Sequence, residues 1–234
     1  MLSVDDAIAA VLEDAAPLGA ERIGLSKLAG RIAAEDVKSR LTQPPFSASA
    51  MDGYAVCFSD MKPGAVLKVV GEAPAGAPYD GRVGAGEAVR IFTGAAMPEG
   101  ADHVVIQEHV TRTDDFITIN EAQDKPCNVR AAGIDFSKGD ILARAGERLH
   151  EIHGSIFAAA NIDIIAVRRR PKIALFTNGD ELMEPGAALK PGQIINSNHY
   201  ALCAMIEAWG GEAVYLGCVR DDEASIRDFF KKGA

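Results

Sequence analysis

The sequence predicts a mixed α and β, multidomain protein, in which a small β-barrel or sandwich-like domain is inserted in an α+β linker domain. Between Tyr54 and about Arg148, glycine and proline punctuate short apolar runs, which is typical of a compact β-domain. After Pro171, strand patterns alternate with helix patterns, which is typical of a parallel α/β layer. The predicted bounds are 1–45 plus 146–170 for the discontinuous linker domain, 46–145 for the β-domain and 171–234 for the first part of an α/β domain.

Size and composition restrict the class of protein. The chain has 234 residues, of which 48% are hydrophobic and 24% are charged, as is typical of a soluble globular protein. No run of about 18 apolar residues occurs, and Met1 to Ala10 carries acids instead of the basic region of a secretory signal. A net charge of −9 argues against a nucleic-acid partner. The sequence therefore predicts a cytoplasmic protein that binds neither membrane nor nucleic acid.

Cysteines and basic residues give little indication of a site. The four cysteines are widely spaced and form neither a CxxC pair nor a zinc spacing, so reduced thiols are predicted. The one basic run is Arg168-Arg169-Arg170, and its position after an apolar stretch favours a solvated strand end.

The N-terminal part is predicted to be helical. Ser3 can cap a helix over Ser3–Ala15, with two aspartates in its first turn. Its apolar residues repeat with helical spacing, at Val4, Ala7, Ile8, Val11 and Leu12. A second short helix is predicted over Ser26–Glu35, with Leu28 and Ile32 facing inward.

The central part is predicted to consist of short strands separated by turns. The apolar runs are Val66–Val70, Ala88–Phe92, His103–Gln107, Phe116–Ile119 and Asp140–Ala143. The segment 81–86 is rich in glycine, but it lacks the spacing of a dinucleotide fingerprint and lies between strands.

The C-terminal part is predicted to be α/β. Strands are expected at Ile162–Val167, Lys172–Thr177 and Glu212–Val219. Helices are expected at Glu151–Asn161, from Asn196 or Ser197 to Trp209 and from Asp221 or Asp222 to Lys232. The apolar face of the second of these helices is predicted to consist of Leu202, Met205, Ile206 and Trp209. With only two strands to cover the helices, an apolar helix face is expected to remain exposed. Since a two-stranded parallel layer leaves most of its edge unpaired, residues 171–234 are expected to be the truncated start of a larger, three-layer α/β domain.

The segment Ser49–Val56, entered through Pro44-Pro45-Phe46, places a carboxylate on a sharp turn. Gly53 permits backbone conformations that are closed to residues with a Cβ, and an extended pattern resumes after it. The local pattern alone favours an Asx-turn in which Asp52 bonds its own backbone. The alternative is a carboxylate that is aimed at a ligand.

Two further acids, Glu181 and Asp221, follow predicted strands at their carboxyl ends, where open α/β sheets bind ligands. Clustered carboxylates suit a hard divalent cation such as Mg²⁺, so these two acids are candidate metal ligands. Each has a structural alternative, because Asp221 or Asp222 can cap the last helix and Glu181 can be a surface residue.

Several residues are candidates for holding an anion. Thr93 supplies a hydroxyl just after a predicted strand, and Gly94 permits close backbone approach to a phosphate or oxyanion, although an ordinary strand exit is the alternative. Arg130 and Lys190 are candidate cationic partners, and a solvated charge is favoured for Lys190. Ser197 and its neighbouring asparagines can either donate to a ligand at a helix N-terminus or cap that helix.

Four blocks of the chain, in this order, resemble the molybdopterin molybdenumtransferases, the cofactor-insertion enzymes related to the E domain of gephyrin. The blocks are Ser49–Val56, Thr93–Ala95 with Pro98–Asp102, Asn178–Leu182 and Val219–Asp222. The resemblance covers essentially residues 1–234, and four ordered blocks are far more specific than any one of them.

The resemblance implies molybdate-dependent hydrolysis of adenylylated molybdopterin, in which molybdenum passes to the dithiolene sulfurs and AMP is released. It implies catalytic roles for Asp52, Thr93, Glu181 and Asp221, with Mg²⁺ on Glu181 and Asp221. Asp135 also falls on a functional acid of the family. The candidate substrate-binding residues are therefore Asp135, Arg130, Gly179, Asp180 and Ser197.

The resemblance further implies partners and a longer protein. The family cleft lies between two subunits of a homodimer, with Asp52 and Thr93 of one chain facing Glu181 and Asp221 of the other, and an upstream molybdopterin adenylyltransferase supplies the substrate. Family members continue beyond the matching region, so residues 1–234 alone are expected to be inactive. A gephyrin-like scaffold or anchoring protein and a non-catalytic molybdopterin-binding module are the alternatives.

Overall fold

A computed structural model describes residues 3–13 and 15–233 of the chain. The described residues form mostly strands with few helices, which confirms the predicted mixed α and β class. The helices are α1 (Val4–Leu12), α2 (Glu151–Ala159), α3 (Asn198–Ala208) and α4 (Glu223–Gly233). The strands are β1 (Ala20–Gly24), β2 (Val37–Lys38), β3 (Ala48–Ser49), β4 (Gly53–Val56), β5 (Val66–Ala73), β6 (Glu87–Ile91), β7 (His103–Ile106), β8 (Val110–Thr113), β9 (Phe116–Ile119), β10 (Val129–Arg130), β11 (Ile141–Ala143), β12 (Ile164–Arg168), β13 (Lys172–Asn178), β14 (Leu182–Met183), β15 (Ile194–Ile195) and β16 (Glu212–Val219).

The described chain divides into two compact units. The β unit comprises Lys38–Leu142 and Ile156–Ile162. The α/β unit comprises the chain up to Val37, Ala143–Ser155 and the chain from Asp163 onward. The division of the sequence into a linker domain, a β-domain and the start of an α/β domain stays a prediction.

A six-stranded mixed sheet forms the centre of the β unit, in the order β7-β4-β6-β5-β9-β8. Strand β4 pairs antiparallel with both β6 and β7, whereas β5 and β6 run parallel. Closure of this sheet into a barrel or a sandwich stays a prediction.

Alternate residues of β4 pack into separate core clusters. Tyr54 and Val56 pack with Leu67 and Ile117, whereas Ala55 packs with Val89 in the other cluster. All four residues of β4 are buried. Because the side chains of a strand point alternately to its two faces, both faces of the sheet are covered around β4.

Most strands of the β unit were predictable from local pattern. The five predicted runs all form strands, at β5, β6, β7, β9 and β11. The two-residue strands β3 and β10 and the edge strand β8 were missed. They are short or exposed, and their apolar residues do not repeat often enough to be recognised.

The predicted helix over Ser26–Glu35 is wrong. Only Leu25–Lys27 is helical, as a single 3₁₀ turn, and Gly30 adopts a positive φ of 75° that ends any helix. Ile32 and Ala33 instead form β-bridges with Arg148 and Val167. Pairing with residues more than 100 positions away therefore overrides the local helical pattern.

A two-stranded parallel sheet, β13-β16, forms the α/β region, as predicted. Helices α3 and α4 pack on it, and a short parallel pair, β14-β15, lies between β13 and α3 in sequence. Of the four residues on the predicted apolar face of α3, only Ile206 is buried, and Trp209 is 73% exposed. An apolar helix face is therefore exposed, as predicted, because the two-stranded sheet covers little of the helix.

Helix α1 begins as predicted. Ser3 caps it by accepting a hydrogen bond from the backbone N–H of Asp6 at 3.1 Å. The helix ends at Leu12, before the predicted end at Ala15, and Asp14 lies outside the described residues. Its apolar residues are not buried, since Val4 is 76% exposed.

Among the described helices, none combines the length and the apolar character that a membrane crossing requires.

Gly53 is required by a close approach of two strands. A Cβ at this position would collide with the carbonyl oxygen of Val105 in β7 and would lie 2.9 Å from its carbon. We therefore predict that Gly53→Ala lowers the free energy of unfolding by about 3 kcal/mol, since the sheet must open to accept the methyl group. Urea denaturation followed by circular dichroism measures this change.

Gly24→Ala is the matched control, because a Cβ at Gly24 would meet no atom within 4 Å. Its unfolding free energy should stay within about 0.5 kcal/mol of the unmodified chain. Equal stability of the two variants would contradict the proposed role of Gly53.

Candidate functional site

The Asp52 carboxylate is held by Thr93, which lies 41 residues further along the chain. The register of β4 with β6 sets Gly53 opposite Ile91, so Asp52 and Thr93 lie just outside the paired ends of these strands. Oδ1 of Asp52 accepts hydrogen bonds from the backbone N–H and from the hydroxyl of Thr93, each at 2.8 Å. The predicted Asx-turn is therefore wrong. Ser49 makes the local turn bonds instead, through its hydroxyl to the backbone of Met51.

These bonds set the ionisation of Asp52. The backbone N–H of Thr93, then its hydroxyl and then the nearby Arg90 guanidinium, lower the pKa of the Asp52 carboxyl. Arg90 is itself fixed, because it donates to the carbonyl of Gly53 at 2.9 Å and to Gln107 at 2.8 Å. Asp52 is therefore an exposed, ionised carboxylate with a fixed orientation at neutral pH.

A pocket of about 420 Å³ lies next to this pair, and Thr93 lines it. Two more predicted site residues, Arg130 and Asp135, line the same pocket. Pairing of β10 with β3 places Arg130 opposite Ala48, and the backbone N–H of Asp135 donates to the carbonyl of Gln43 at 3.1 Å. The structure thus brings Asp52, Thr93, Arg130 and Asp135 together.

Other residues of this pocket were not assigned by sequence reasoning. Phe46 and Ile134 line it and are 46% and 63% exposed, which makes them apolar groups available to a ligand. Ser49 lines it as well, and its side chain is buried. The signal was present for Phe46 and Ser49, since both belong to the segment that enters the Asp52 turn. Ile134 had no such signal.

A second group of predicted residues lies at the carboxyl ends of β13 and β16. Asn178, the last residue of β13, is in register with Val219, and the backbone N–H of Gly179 donates to the carbonyl of Val219 at 3.3 Å. Gly179 has a positive φ of 145°, and a Cβ there would lie 2.6 Å from a carboxylate oxygen of Glu181. The Glu181 side chain therefore folds back over this glycine.

Asp221 joins the same group, because the Asn178 amide donates to its Oδ1 at 3.1 Å. The neighbouring Asp222 caps α4 instead, by accepting from the backbone N–H of Ser225 at 2.8 Å. That bond is the largest cause of the lowered pKa of Asp222. Helix capping is therefore the structural role of Asp222, and Asp221 does not have this role.

The remaining predicted residues differ in their environments. Asp180 is exposed in the turn between Gly179 and Glu181. Ser197 occupies the cap position of α3, but its side chain makes no capping hydrogen bond. Asn196 was not assigned a role in the site and is buried, with its amide within hydrogen-bond distance of Thr177, Tyr215 and Glu184.

The predicted site residues thus form two groups. Asp52, Thr93, Arg130 and Asp135 belong to the β unit. Gly179, Asp180, Glu181, Ser197 and Asp221 belong to the α/β unit. One group offers a hydroxyl, a carboxylate and a guanidinium around a pocket, and the other offers exposed carboxylates at strand ends. A guanidinium group can pair with phosphate oxygens, and carboxylates at strand ends can bind a hard divalent cation.

The chain belongs to the MoeA family. Residues 2–161 match the family that is described as "MoeA N-terminal region (domain I and II)".

Similar proteins carry a consistent name. The chain is 37% identical over 232 residues to a molybdopterin molybdenumtransferase of Haemophilus influenzae, covering 98% of this chain and 57% of the relative. It is 37% identical over 208 residues to a protein of the same name from Nostoc sp., covering 87% of this chain and 48% of the relative. The chain therefore spans about half the length of these relatives.

Solved structures have the same fold. A molybdopterin biosynthesis MoeA protein from Pyrococcus horikoshii superposes with a TM-score of 0.89 at 29% identity, over 99% of this chain and 63% of that one. Another structure of a MoeA protein from Pyrococcus gives a TM-score of 0.83 at 36% identity, over 100% of this chain and 61% of that one.

The two bonds from Thr93 predict a graded effect on Asp52. Thr93→Val removes the hydroxyl and keeps the backbone N–H, which is the larger cause of the lowered pKa. We expect the pKa of Asp52 to rise towards its ordinary value without reaching it. Carboxyl ¹³C NMR across a pH titration measures the pKa.

Asp222 provides an internal control in the same spectra, since its lowered pKa comes from Ser225 and should not change. Thr111→Val, which alters an exposed threonine on β8, should leave both carboxyl groups unaffected. An unchanged Asp52 pKa in Thr93→Val would show that the hydroxyl bond does not act on the carboxylate.

Proposed function

We propose that this chain acts in molybdenum cofactor biosynthesis, as the N-terminal portion of a molybdopterin molybdenumtransferase. The proposed reaction inserts molybdate into adenylylated molybdopterin and releases AMP. Membership of the MoeA family and the names of the similar proteins support this assignment. The observation that carries it is the Asp52–Thr93 pair beside a pocket that also contains Arg130.

In this proposal the β unit binds the anionic part of the substrate. Arg130 is the cation of the pocket, and it neutralises phosphate or oxyanion charge. Gly94 has a positive φ of 83° and carries no side chain, so a ligand can approach the backbone next to Thr93 closely. The ionised Asp52 repels a bare anion, which favours a substrate pose in which phosphate lies towards Arg130 and away from Asp52.

The α/β unit offers the residues that would hold Mg²⁺. Glu181 and Asp221 are exposed carboxylates, and hard oxygen donors of this kind are the ligands that Mg²⁺ prefers. They do not belong to any group of three or more potential metal-binding side chains within the described residues. This donor set fits Mg²⁺, since that ion usually takes its remaining ligands from water and substrate phosphates. When bound, the ion would stabilise the charge that develops on the leaving phosphate.

Asp135, Asp180, Gly179 and Ser197 are proposed to contact the substrate. Asp135 lies on the pocket wall, whereas Gly179 and Asp180 form the turn that carries Glu181. We further propose a cytoplasmic homodimer in which the β unit of one subunit and the α/β unit of the other complete the cleft. The adenylylated substrate would come from an upstream molybdopterin adenylyltransferase.

The proposed function is tested by joining residues 1–234 to the C-terminal part of the Haemophilus influenzae relative. With adenylylated molybdopterin, Mg²⁺ and molybdate, we expect this protein to release AMP. Residues 1–234 alone should release none, because the family site also needs groups from outside this region. Chromatographic measurement of AMP follows the reaction. Turnover by the short chain at a similar rate, or no turnover by the joined protein, would contradict the proposal.

Two substitutions in the joined protein test the acidic group. We predict that Glu181→Gln and Asp221→Asn each lower kcat by about tenfold or more and change KM less. The reason is that a carboxylate ligand of the metal acts most strongly as charge develops on the leaving phosphate. AMP release measured against Mg²⁺ concentration should also show a higher Mg²⁺ requirement.

Asp222→Asn is the matched control at the adjacent position. Asparagine caps a helix about as well as aspartate, so both stability and turnover should be retained. If Asp222→Asn lowered kcat as much as Asp221→Asn, the effect would come from lost negative charge in this loop rather than from a specific ligand.

A further inference from the structure

A cleft lined by arginines lies in the α/β unit and contains none of the candidate site residues named above. Its volume is about 210 Å³. Five of the residues that line it are arginines and none is acidic, namely Arg31, Arg148, Arg168, Arg169 and Arg170. The chain as a whole carries a net charge of −9, so these arginines form a local positive region in an acidic protein. It includes the basic run for which the sequence favoured a solvated strand end.

Arg31 fixes the wall of the cleft. Its side chain is only 9% exposed, forms an ion pair with Glu21 and donates to the backbone carbonyl of Arg168 at 2.7 Å. Arg168 in turn donates to the carbonyl of Leu18 at 3.3 Å. The strand end that carries the basic run is therefore tied down by side-chain bonds rather than being free in solvent.

Backbone pairing positions the other arginines. Strands β1 and β12 pair antiparallel with Ala20 opposite Arg168, and the backbone N–H of Arg169 donates to the carbonyl of Gly19 at 2.8 Å. Ile32 bridges Arg148 across an antiparallel contact. The backbone from which these side chains project is thus preorganised, which lowers the entropy that a ligand must overcome.

Two arginines of the cleft, Arg148 and Arg169, are available to a ligand. Two others already have acidic partners, since Arg170 lies 3.7 Å from Glu207 and Arg31 is paired with Glu21. By contrast, the guanidinium groups of Arg148 and Arg169 form no hydrogen bond or ion pair with any residue among 3–13 and 15–233. An arginine-lined cavity with unpaired guanidinium groups is suited to a phosphate, because the planar donors match phosphate oxygens.

An aromatic side chain completes the cleft. Trp209 lines it, is 73% exposed and is the only tryptophan of the sequence. An exposed indole offers a surface on which a nucleobase can stack. The cleft is smaller than the ~300 Å³ at which pockets for whole drug-sized ligands begin, so it suits a phosphate group with any base lying outside on Trp209.

We propose that this cleft is a second anion site, which binds a phosphate group through Arg148 and Arg169. The phosphate belongs either to free phosphate or to a nucleotide whose base stacks on Trp209. The site shares no residue with the pocket of the β unit or with the acidic loops. Its occupancy is measured without turnover, so the result is independent of the proposed transferase activity.

The fluorescence of Trp209 reports binding directly, because no other tryptophan contributes. We expect titration of the chain with orthophosphate or with AMP to change this fluorescence saturably, and titration with adenosine to leave it unchanged. Tighter binding of AMP than of orthophosphate identifies a nucleotide as the ligand, and equal binding identifies free phosphate. No saturable change with either, or adenosine binding as tightly as AMP, would overturn the proposal.

Two variants localise the site. Arg148→Gln and Arg169→Gln should each weaken phosphate binding by about tenfold or more, because each removes charge-assisted hydrogen bonds. Both should fold normally, since neither guanidinium has a partner among the described residues. Arg112→Gln, which alters an exposed arginine of β8, is the control and should bind like the unmodified chain. Retained binding in both cleft variants, or equal loss in the control, would refute a specific site.

Discussion

The antiparallel pairing of β4 with β6 is the constraint on which the β-unit site depends. Its register sets Gly53 opposite Ile91, and this brings Asp52 within hydrogen-bond distance of Thr93. The register is fixed by packing, because Tyr54 and Val56 belong to one core cluster and Ala55 to the other. A shift by one residue would exchange these faces. The orientation of an exposed carboxylate is therefore determined by buried side chains that never contact a ligand.

The parallel pairing of β13 with β16 likewise positions the candidate site residues of the α/β unit. With Asn178 in register with Val219, the loops after the two strands begin at the same edge, and the Asn178 amide reaches Asp221. The two adjacent acids differ in role, since Asp222 caps α4 and Asp221 does not. Both candidate groups thus arise where paired strands end, and the strand register brings their side chains within hydrogen-bond distance, as for Thr93 with Asp52 and Asn178 with Asp221.

Local sequence pattern predicted the structure correctly where neighbouring residues determine it. The predictions failed where residues distant in sequence determine the structure. Strands such as Phe116–Ile119 and Glu212–Val219 have the predicted bounds because their apolar pattern is self-contained. The helix predicted over Ser26–Glu35 failed because Ile32 and Ala33 pair with strands far along the chain. The Asx-turn at Asp52 failed for the same reason, as its partner Thr93 is 41 residues away. The predicted site residues came from ordered motifs, whereas the arginine cleft joins segments that no single stretch of sequence connects.

The two proposed kinds of site in this acidic chain would bind an anion in different ways. In the loops of Glu181 and Asp221, carboxylates repel a phosphate, so an anionic substrate would need a bridging cation there. In the arginine cleft, guanidinium groups attract a phosphate directly and no cation is required. Binding at the cleft should therefore weaken with added monovalent salt and be indifferent to Mg²⁺, whereas binding at the acidic loops should depend on Mg²⁺. This opposition follows from charge alone, and it allows occupancy of the two regions to be separated in one protein without altering either.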